Sequence, residues 1–433
     1  MDRVIRRIYS GNRWLIVAVA VEIVLVAGLL HVEGLFEHVG MDYLTTYTAA
    51  EIIADGEAAH LYDTRLQWEY QRPVIDAHGV DWGDRLMHPY IAPPTLGIIS
   101  IPLLPFGPAA AYVIWMLLNL AAVGLALWLI VQRLRLPWSV PLLVMAGAMP
   151  LFMVLMLGQV EGLLFLAFVA FALALQDGRE GRAGLALAVF AIKPPLLLAP
   201  LIYLAVTGRR RAFWTTVLAT GIQAAASMAL VGPTGVRGYV DLSQRLSGPD
   251  GTIVTNVWGM VNLRSVVIRA FPTDHHMLTN ILIVMLTLTT LAVTGWFWRR
   301  AAREASMLPS LALLAVTTVL TSYHALYHTA ALALVGIVLL AAYAAQQRDV
   351  VRIERLTVFS WIAFTLLPLI AFVMVQTSKI PAAIGVIGVL LAWTIATGTV
   401  AQQVAATEAA TRPAGANVQP WYVVRDRRSV RSQ

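Results

Sequence analysis

The chain has 433 residues, 59% of them hydrophobic and 13% charged, with a formal net charge of +7 and no cysteine. A soluble domain carries roughly a quarter charged residues, so this composition argues against a soluble fold. The missing cysteines exclude disulfides and thiolate metal sites. The positive charge falls in clusters between apolar runs, as the positive-inside rule asks, so no nucleic-acid partner is expected.

Arg3, Arg6, Arg7 and Arg13 precede a first expected span at about 14–32, which lacks a cleavage site and reads as a retained helix. A polar excursion follows over 33–88, with two short amphipathic helices expected at the membrane–water interface. One carries Tyr43, Tyr47, Ala50 and Ala54 on one face; the other carries a Tyr62, Leu66 and Tyr70 stripe. "HPYIAPPTLGIISIPLLPFG" reads as a proline-interrupted short helix before a span at about 108–130. "VPLLVMAGAMPLFMVLMLGQVEGLLFLAFVAFALAL" reads as two short helices meeting at Gly158-Gln159. Residues 183–206 read as one span broken in its middle by Lys193-Pro194-Pro195, and 215–231 as the next.

A second polar excursion, 232–276, holds a short helix around "VNLRSVVIRAF". Five further apolar runs bring the expectation to about twelve membrane helices in one all-α domain over 1–410, followed by a polar, basic cytoplasmic tail over 411–433. With the N-terminus inside, "GRRR", "RRAAR" and "RDVVRIER" are cytoplasmic, and both polar excursions and the "SYHALYH" turn are outside. Arg133, Arg135, Arg179 and Arg182 would then lie outside if every run crosses fully.

The polar residues placed in or beside the apolar runs are the candidates for chemistry. Asp42 follows the first expected span, where it reads either as a helix cap or as a general base in a cleft. Lys193 lies within a span, beside two prolines that free backbone carbonyls; it reads as a snorkelling lysine or as the binder of a negative lipid head. Gln159 and Glu161 sit at a helix junction, where Glu161 can equally pair with a cation. Asn262 and Arg264 lie in the second excursion, with Arg264 able to reach a phosphate or ordinary headgroups. His324 and His328 are four apart, hence on one helical face; with no HExxH acidic partner they suit a phosphate or sugar hydroxyl better than zinc, with structural helix-capping the other reading. There is no Walker motif, no GxGxxG after a strand and no nucleophile elbow, so no nucleotide-bound donor and no cofactor is expected.

The order "MDYLTTYTAAEIIADG…LYD", "HPYIAPPTLG", "GQVEGLLFL", "AVFAIKPPLLLAP", "MVNLRSVVIRAF" and "SYHALYH" resembles the polytopic GT-C glycosyltransferases of glycosyltransferase family 87. That group includes polyprenol-phosphate-mannose-dependent mannosyltransferases. The resemblance spans about 14–400 and implies a GT-C bundle at the plasma membrane with its active site facing outward. It implies Asp42 as catalytic base, Lys193 as the lysine of a K-x-x-P segment and His324 as the histidine of a late outer turn. Pro194-Pro195 depart from the family's usual Lys-Leu-x-Pro order. The implied partners are a polyprenyl-phosphate-sugar donor, a lipid or glycolipid acceptor and membrane lipids. Read from the residues themselves, Arg264, His328, Gln159, Glu161 and Asn262 join Lys193 and His324 as candidates for binding donor phosphate and substrate, and no metal site is expected. A single available carboxylate suggests one inverting displacement. A secondary transporter or flippase-like protein would also use Pro-broken helices and buried charges, but paired halves are not visible; a non-catalytic lipid-binding scaffold would need no Asp42.

Overall fold

The computed structural model describes residues 40–78, 88–145, 149–247, 259–271, 276–304, 306–370 and 384–411. The expected first span and basic tail lie outside these residues. All regular elements among them are helical, with one isolated bridge between Met260 and Leu326.

Helix α1 (Met41–Ala54) opens the description. It is not an interfacial amphipathic helix: Leu44, Ala49 and Ile52 are buried along with Tyr43, Tyr47 and Ala50. Its apolar residues lie all round the cylinder, as in a helix enclosed by others. In α2 (Thr64–His78), Gln67 and Gln71 have no exposed surface; of the expected stripe, Tyr62 precedes the helix and is buried, whereas Leu66 and Tyr70 are half-buried. Next come α3 (Pro94–Ser100), a 3₁₀ turn over Ile101–Phe106 and α4 (Gly107–Leu134), as the prolines predict.

Two short segments, α5 (Ser139–Val144) and α6 (Met149–Leu157), precede α7 (Glu161–Gln176). The expected junction at Gly158-Gln159 is the turn between α6 and α7. Then α8 (Glu180–Ala188) runs to Lys193, and α9 (Leu198–Val206) runs away from it. These two are not one broken span. Arg209 Nη1 lies 3.5 Å from Glu180 Oε1, and Thr216 on α10 (Arg210–Ser247) donates to the Gly184 carbonyl at 3.1 Å. Both ends of 180–206 therefore lie at one face, and the segment is a hairpin with Lys193-Pro194-Pro195 at its tip. The prolines cannot donate to a continuing helix, so the chain turns back where it was expected to bend.

The same contacts correct the expected topology. Arg133 Nη2 pairs with Asp177 Oδ2 at 2.7 Å, and Arg179 lies 4.0 Å from the same oxygen. Arg133, Arg179 and Arg209 thus share one face, because α5 and α6 together make a single crossing. Beyond a kink at Gly232 (φ 62°), α10 continues to Ser247, so the second polar excursion is partly helical.

The chain continues through α11 (Leu263–Ala270), α12 (His276–Ala301), α13 (Leu308–Thr321), α14 (Ala331–Gln346), α15 (Val350–Trp361) and α16 (Ile384–Thr411). Every residue of α13 is buried, and nearly every residue of α14, so this pair forms the centre of the bundle. Six helices among the described residues are long and apolar enough to cross a membrane. The expected count of about twelve is not reached there: α7 and α13 fall short of the roughly 20 residues a span needs, and the 180–206 segment doubles back.

The natural chain has no cysteine, so single-cysteine variants report topology without background. Arg135→Cys, Arg182→Cys and Arg210→Cys should all be labelled by a membrane-impermeant maleimide from one side of sealed vesicles, and Tyr323→Cys from the other. Labelling of Arg182→Cys from the same side as Tyr323→Cys would contradict the hairpin.

Candidate active site

At the face opposite those arginines, four separate pieces of chain meet. The first is the start of α1. Gly40 takes φ 83°, its N–H donates to the Met156 carbonyl at 3.0 Å, and a Cβ there would lie 2.8 Å from the Tyr112 ring. Only glycine accepts both conditions. Asp42 then falls in the first turn of α1, where the N-terminal end of the helix dipole favours a carboxylate, but it is not the cap.

The second piece is the α6–α7 turn. Gly158 also has positive φ, and a Cβ on it would meet Tyr43 Cβ at 2.4 Å. Trp115 Nε1 donates to the Gly158 carbonyl at 2.9 Å, and Tyr112 OH donates to the Leu155 and Met156 carbonyls at 2.7 and 3.0 Å. This aromatic clamp fixes the backbone of Gln159 beside Asp42. The Gln159 amide donates through Nε2 to Asp42 Oδ2 at 2.5 Å and accepts through Oε1 from Lys193 Nζ at 2.7 Å.

Lys193, at the tip of the 180–206 hairpin, is the third piece. Its ammonium lies 2.6 Å from Oε1 of Glu161, a residue with no exposed surface. The same oxygen receives the Thr329 hydroxyl at 3.0 Å and faces His328 Nε2 at 3.3 Å. Both expected binding residues therefore hold each other, and Lys193 keeps a quarter of its side chain exposed.

The turn between α13 and α14 is the fourth. His324 and His328 do not share a helical face: Ser322 and Leu326 are extended, so His324 lies in an open turn and His328 in a 3₁₀ helix over Tyr327–Ala330. Both nevertheless face the cluster. Burial, followed by the charges of Lys193, His328 and Arg264, pulls the His324 imidazole down to about 3, with Asp42 opposing. His324 is accordingly neutral in the resting site, an imidazole with one ring nitrogen able to donate and the other able to accept.

Asn262 caps α11, accepting from the Ser265 N–H at 3.0 Å while its amide donates to the Ser322 carbonyl at 2.9 Å. It holds the turn and does not join the charge network. Arg264 is 8% exposed, stacks 4.2 Å from the centre of the Tyr323 ring, and has a buried Nη1 without a hydrogen-bond partner among the described residues. A buried donor in that condition costs about 1–3 kcal/mol until something accepts from it.

His88, a residue the sequence reading did not single out, completes the site: its Nε2 lies 3.2 Å from Asp42 Oδ1. Thr329 was also missed. Burial of Asp42 by itself would raise its carboxyl, yet the hydrogen bond and charge of His88, aided by His328 and Gln159, outweigh it and hold the acid at about 2. Asp42 is therefore an ionised carboxylate at any physiological pH.

The sequence model of glycosyltransferase family 87 matches residues 90–322. That is more than half of the chain, and the chain belongs to this family of GT-C-type membrane glycosyltransferases. The match includes Gln159, Glu161, Lys193, Asn262 and Arg264, and ends just before His324. Comparison with curated proteins gives no match, and comparison with solved structures gives none either.

Removing one partner of a buried ion pair strands the other, at a typical cost of about 3–5 kcal/mol. Glu161→Gln and Lys193→Met should each lower the thermal unfolding midpoint in detergent. The double variant should be more stable than the sum of the two losses. Strict additivity would contradict the pairing.

Proposed function

We propose that this member of glycosyltransferase family 87 transfers a sugar, with mannose the leading assignment, from a polyprenyl-phosphate donor to a hydroxyl of a membrane glycolipid or lipid-linked glycan. The observation that carries the reading is the unequal state of two neighbouring carboxylates. Glu161 is fully buried and committed to Lys193, whereas Asp42 keeps 16% of its side chain exposed at the mouth of the cluster. One carboxylate is structural and one is accessible.

With one accessible carboxylate in the cluster among the described residues, the reaction reads as one displacement with inversion, since a double displacement with retention needs a second carboxylate as nucleophile. The acceptor oxygen attacks the anomeric carbon, and its proton passes to Asp42. The bond from that carbon to the phosphate oxygen breaks, and the electron pair leaves with the lipid phosphate. Arg264 supplies the buried cationic donor for that phosphate, and the charges of Arg264 and Lys193 both act at His324 in this cluster. An ionised base held at about 2 is a weak one. Donor binding answers this, because a phosphate entering the cluster adds negative charge and raises the proton affinity of Asp42.

The basic face reads as cytoplasmic, which directs the site to the outer side of the plasma membrane. Lipid-linked sugars, rather than nucleotide sugars, are the donors available there. The chain contains no nucleotide-binding loop that would suggest otherwise. No observation favours transport.

Purified protein incubated with radiolabelled polyprenyl-phosphate-mannose and total membrane lipids should form a new labelled lipid. Asp42→Asn should lower that rate by about 10²–10⁴-fold, the contribution of a positioned base. Near wild-type transfer by Asp42→Asn would remove the assignment of the base. Labelled product from a nucleotide sugar without a lipid carrier would overturn the donor.

A further inference from the structure

Two buried glutamines of α2 serve one short segment of extended chain. Gln71 Nε2 donates to the His88 carbonyl at 2.8 Å, and the His88 N–H donates back to Gln71 Oε1 at 3.4 Å. One helical turn earlier, Gln67 receives the Tyr90 N–H at 2.8 Å and donates to the Tyr90 and Leu61 carbonyls at 3.1 and 2.7 Å. Both glutamines have no exposed surface. Four residues apart on one helix face, they offer residues 88 and 90 the paired donors and acceptors that a neighbouring strand would offer.

The intervening Pro89 has no N–H to satisfy and biases His88 toward an extended backbone. Tyr90 is tied further: its hydroxyl donates to the Pro93 carbonyl at 2.6 Å and accepts the Gly97 N–H at 3.2 Å. A three-residue segment thus has its backbone fixed at both ends. The side chain this places against a functional group is that of His88, whose imidazole is a quarter exposed and meets Asp42.

Resting on the assignment of Asp42 as base, we propose that His88 is its positioning residue: held by Gln71, the imidazole donates from Nε2 to Asp42 Oδ1 and fixes the carboxylate for the acceptor hydroxyl. A carboxylate only accepts hydrogen bonds, so the 3.2 Å contact requires the proton on Nε2. Gln159 holds the other oxygen from the opposite side, and the two contacts together set the rotamer. A carboxylate has about four acceptor positions, which leaves lone pairs for the incoming hydroxyl. His88 stands outside the stretch that the family comparison matches, as does Asp42.

The role differs from general support of the fold because it sets the charge state of Asp42. Among the described residues, the groups facing Asp42 are His88 from the 88–90 segment, Gln159 from the α6–α7 turn, and His328 and His324 from the α13–α14 turn; Lys193 reaches it through Gln159, with Glu161 behind. Burial pushes the Asp42 carboxyl up, and His88 is the largest influence holding it down. The wild-type carboxylate is therefore ionised at all pH values above about 2 and protonates only as the pH falls through that value. Without the imidazole, burial is less opposed and protonation moves to higher pH, by about 1–3 units for loss of such a neighbour.

The test is a pH titration of the purified protein by infrared difference spectroscopy, following the carbonyl band of a protonated carboxylic acid. The Asp42 band is identified by its absence in Asp42→Asn. In His88→Phe its midpoint should rise by at least about one unit, with a smaller rise in His88→Gln, which can still donate to Asp42. Gln71→Leu should raise it too, although the imidazole is intact. Midpoints unchanged from wild type in His88→Phe and Gln71→Leu would overturn the proposal. Transfer from radiolabelled polyprenyl-phosphate-mannose into total membrane lipids, run on the same samples, should show the acid limb of the rate moving with the infrared midpoint. A moved midpoint with an unmoved rate profile would overturn the positioning role. Retained transfer in Asp42→Asn would instead remove the base itself, a separate outcome that the infrared arm does not depend on.

Discussion

A fully buried carboxylate in an apolar bundle is tolerable only with a cation against it, and the 2.6 Å pair between Glu161 and Lys193 is the constraint around which this molecule is arranged. Each partner comes from a break in a helix. Glu161 stands at the first residue of α7, just after a turn that two aromatic side chains clamp; Lys193 stands where two prolines reverse the 180–206 segment. The central α13–α14 turn closes over the pair, contributing Thr329 and His328 to the same carboxylate oxygen. Three interruptions of regular structure thus converge at one level, and their freed backbone groups are satisfied by protein rather than by lipid.

What that pair leaves over is as consequential as what it binds. With Glu161 committed to Lys193, Asp42 is the accessible carboxylate, and Gln159 joins the two halves through one amide that donates to Asp42 and accepts from Lys193. Neutral itself, this amide fixes the geometry between carboxylate and ammonium, and its hydrogen bond helps to hold Asp42 ionised. Arg264 has a buried Nη1 with no hydrogen-bond partner among the described residues, the kind of donor that an anionic ligand would satisfy.

Much of the local plan was legible in the chain. The Gly158-Gln159 junction, the Lys193-Pro194-Pro195 interruption and the short helix after Asn262 follow from glycine, proline and capping chemistry that operates within a few residues. Direction was not legible, because a proline pair that bends a span and one that reverses it look alike until Glu180 and Arg209 are seen to meet. The four-residue spacing of His324 and His328 misled for a related reason: spacing implies a shared face only inside a helix, and Ser322 and Leu326 are extended. The tyrosine and alanine stripe of α1 suggested an interface, but the residues between them are also buried. His88 was invisible as a functional residue because its placement depends on Gln67 and Gln71, which read as ordinary surface polar residues on a helix of mixed composition. Asp42 could be singled out because an acid so near an apolar run is costly enough to need a reason.

Among the described residues of the cluster, Asp42 is the carboxylate left able to take part in chemistry, and the stereochemistry of transfer tests this directly. The anomeric configuration of the transferred sugar, determined by nuclear magnetic resonance on the purified lipid product and compared with that of the donor, is predicted to be inverted. Retention would require a second nucleophilic carboxylate or its equivalent at the site, and would contradict the assignment of Glu161 to structure and of Asp42 to catalysis.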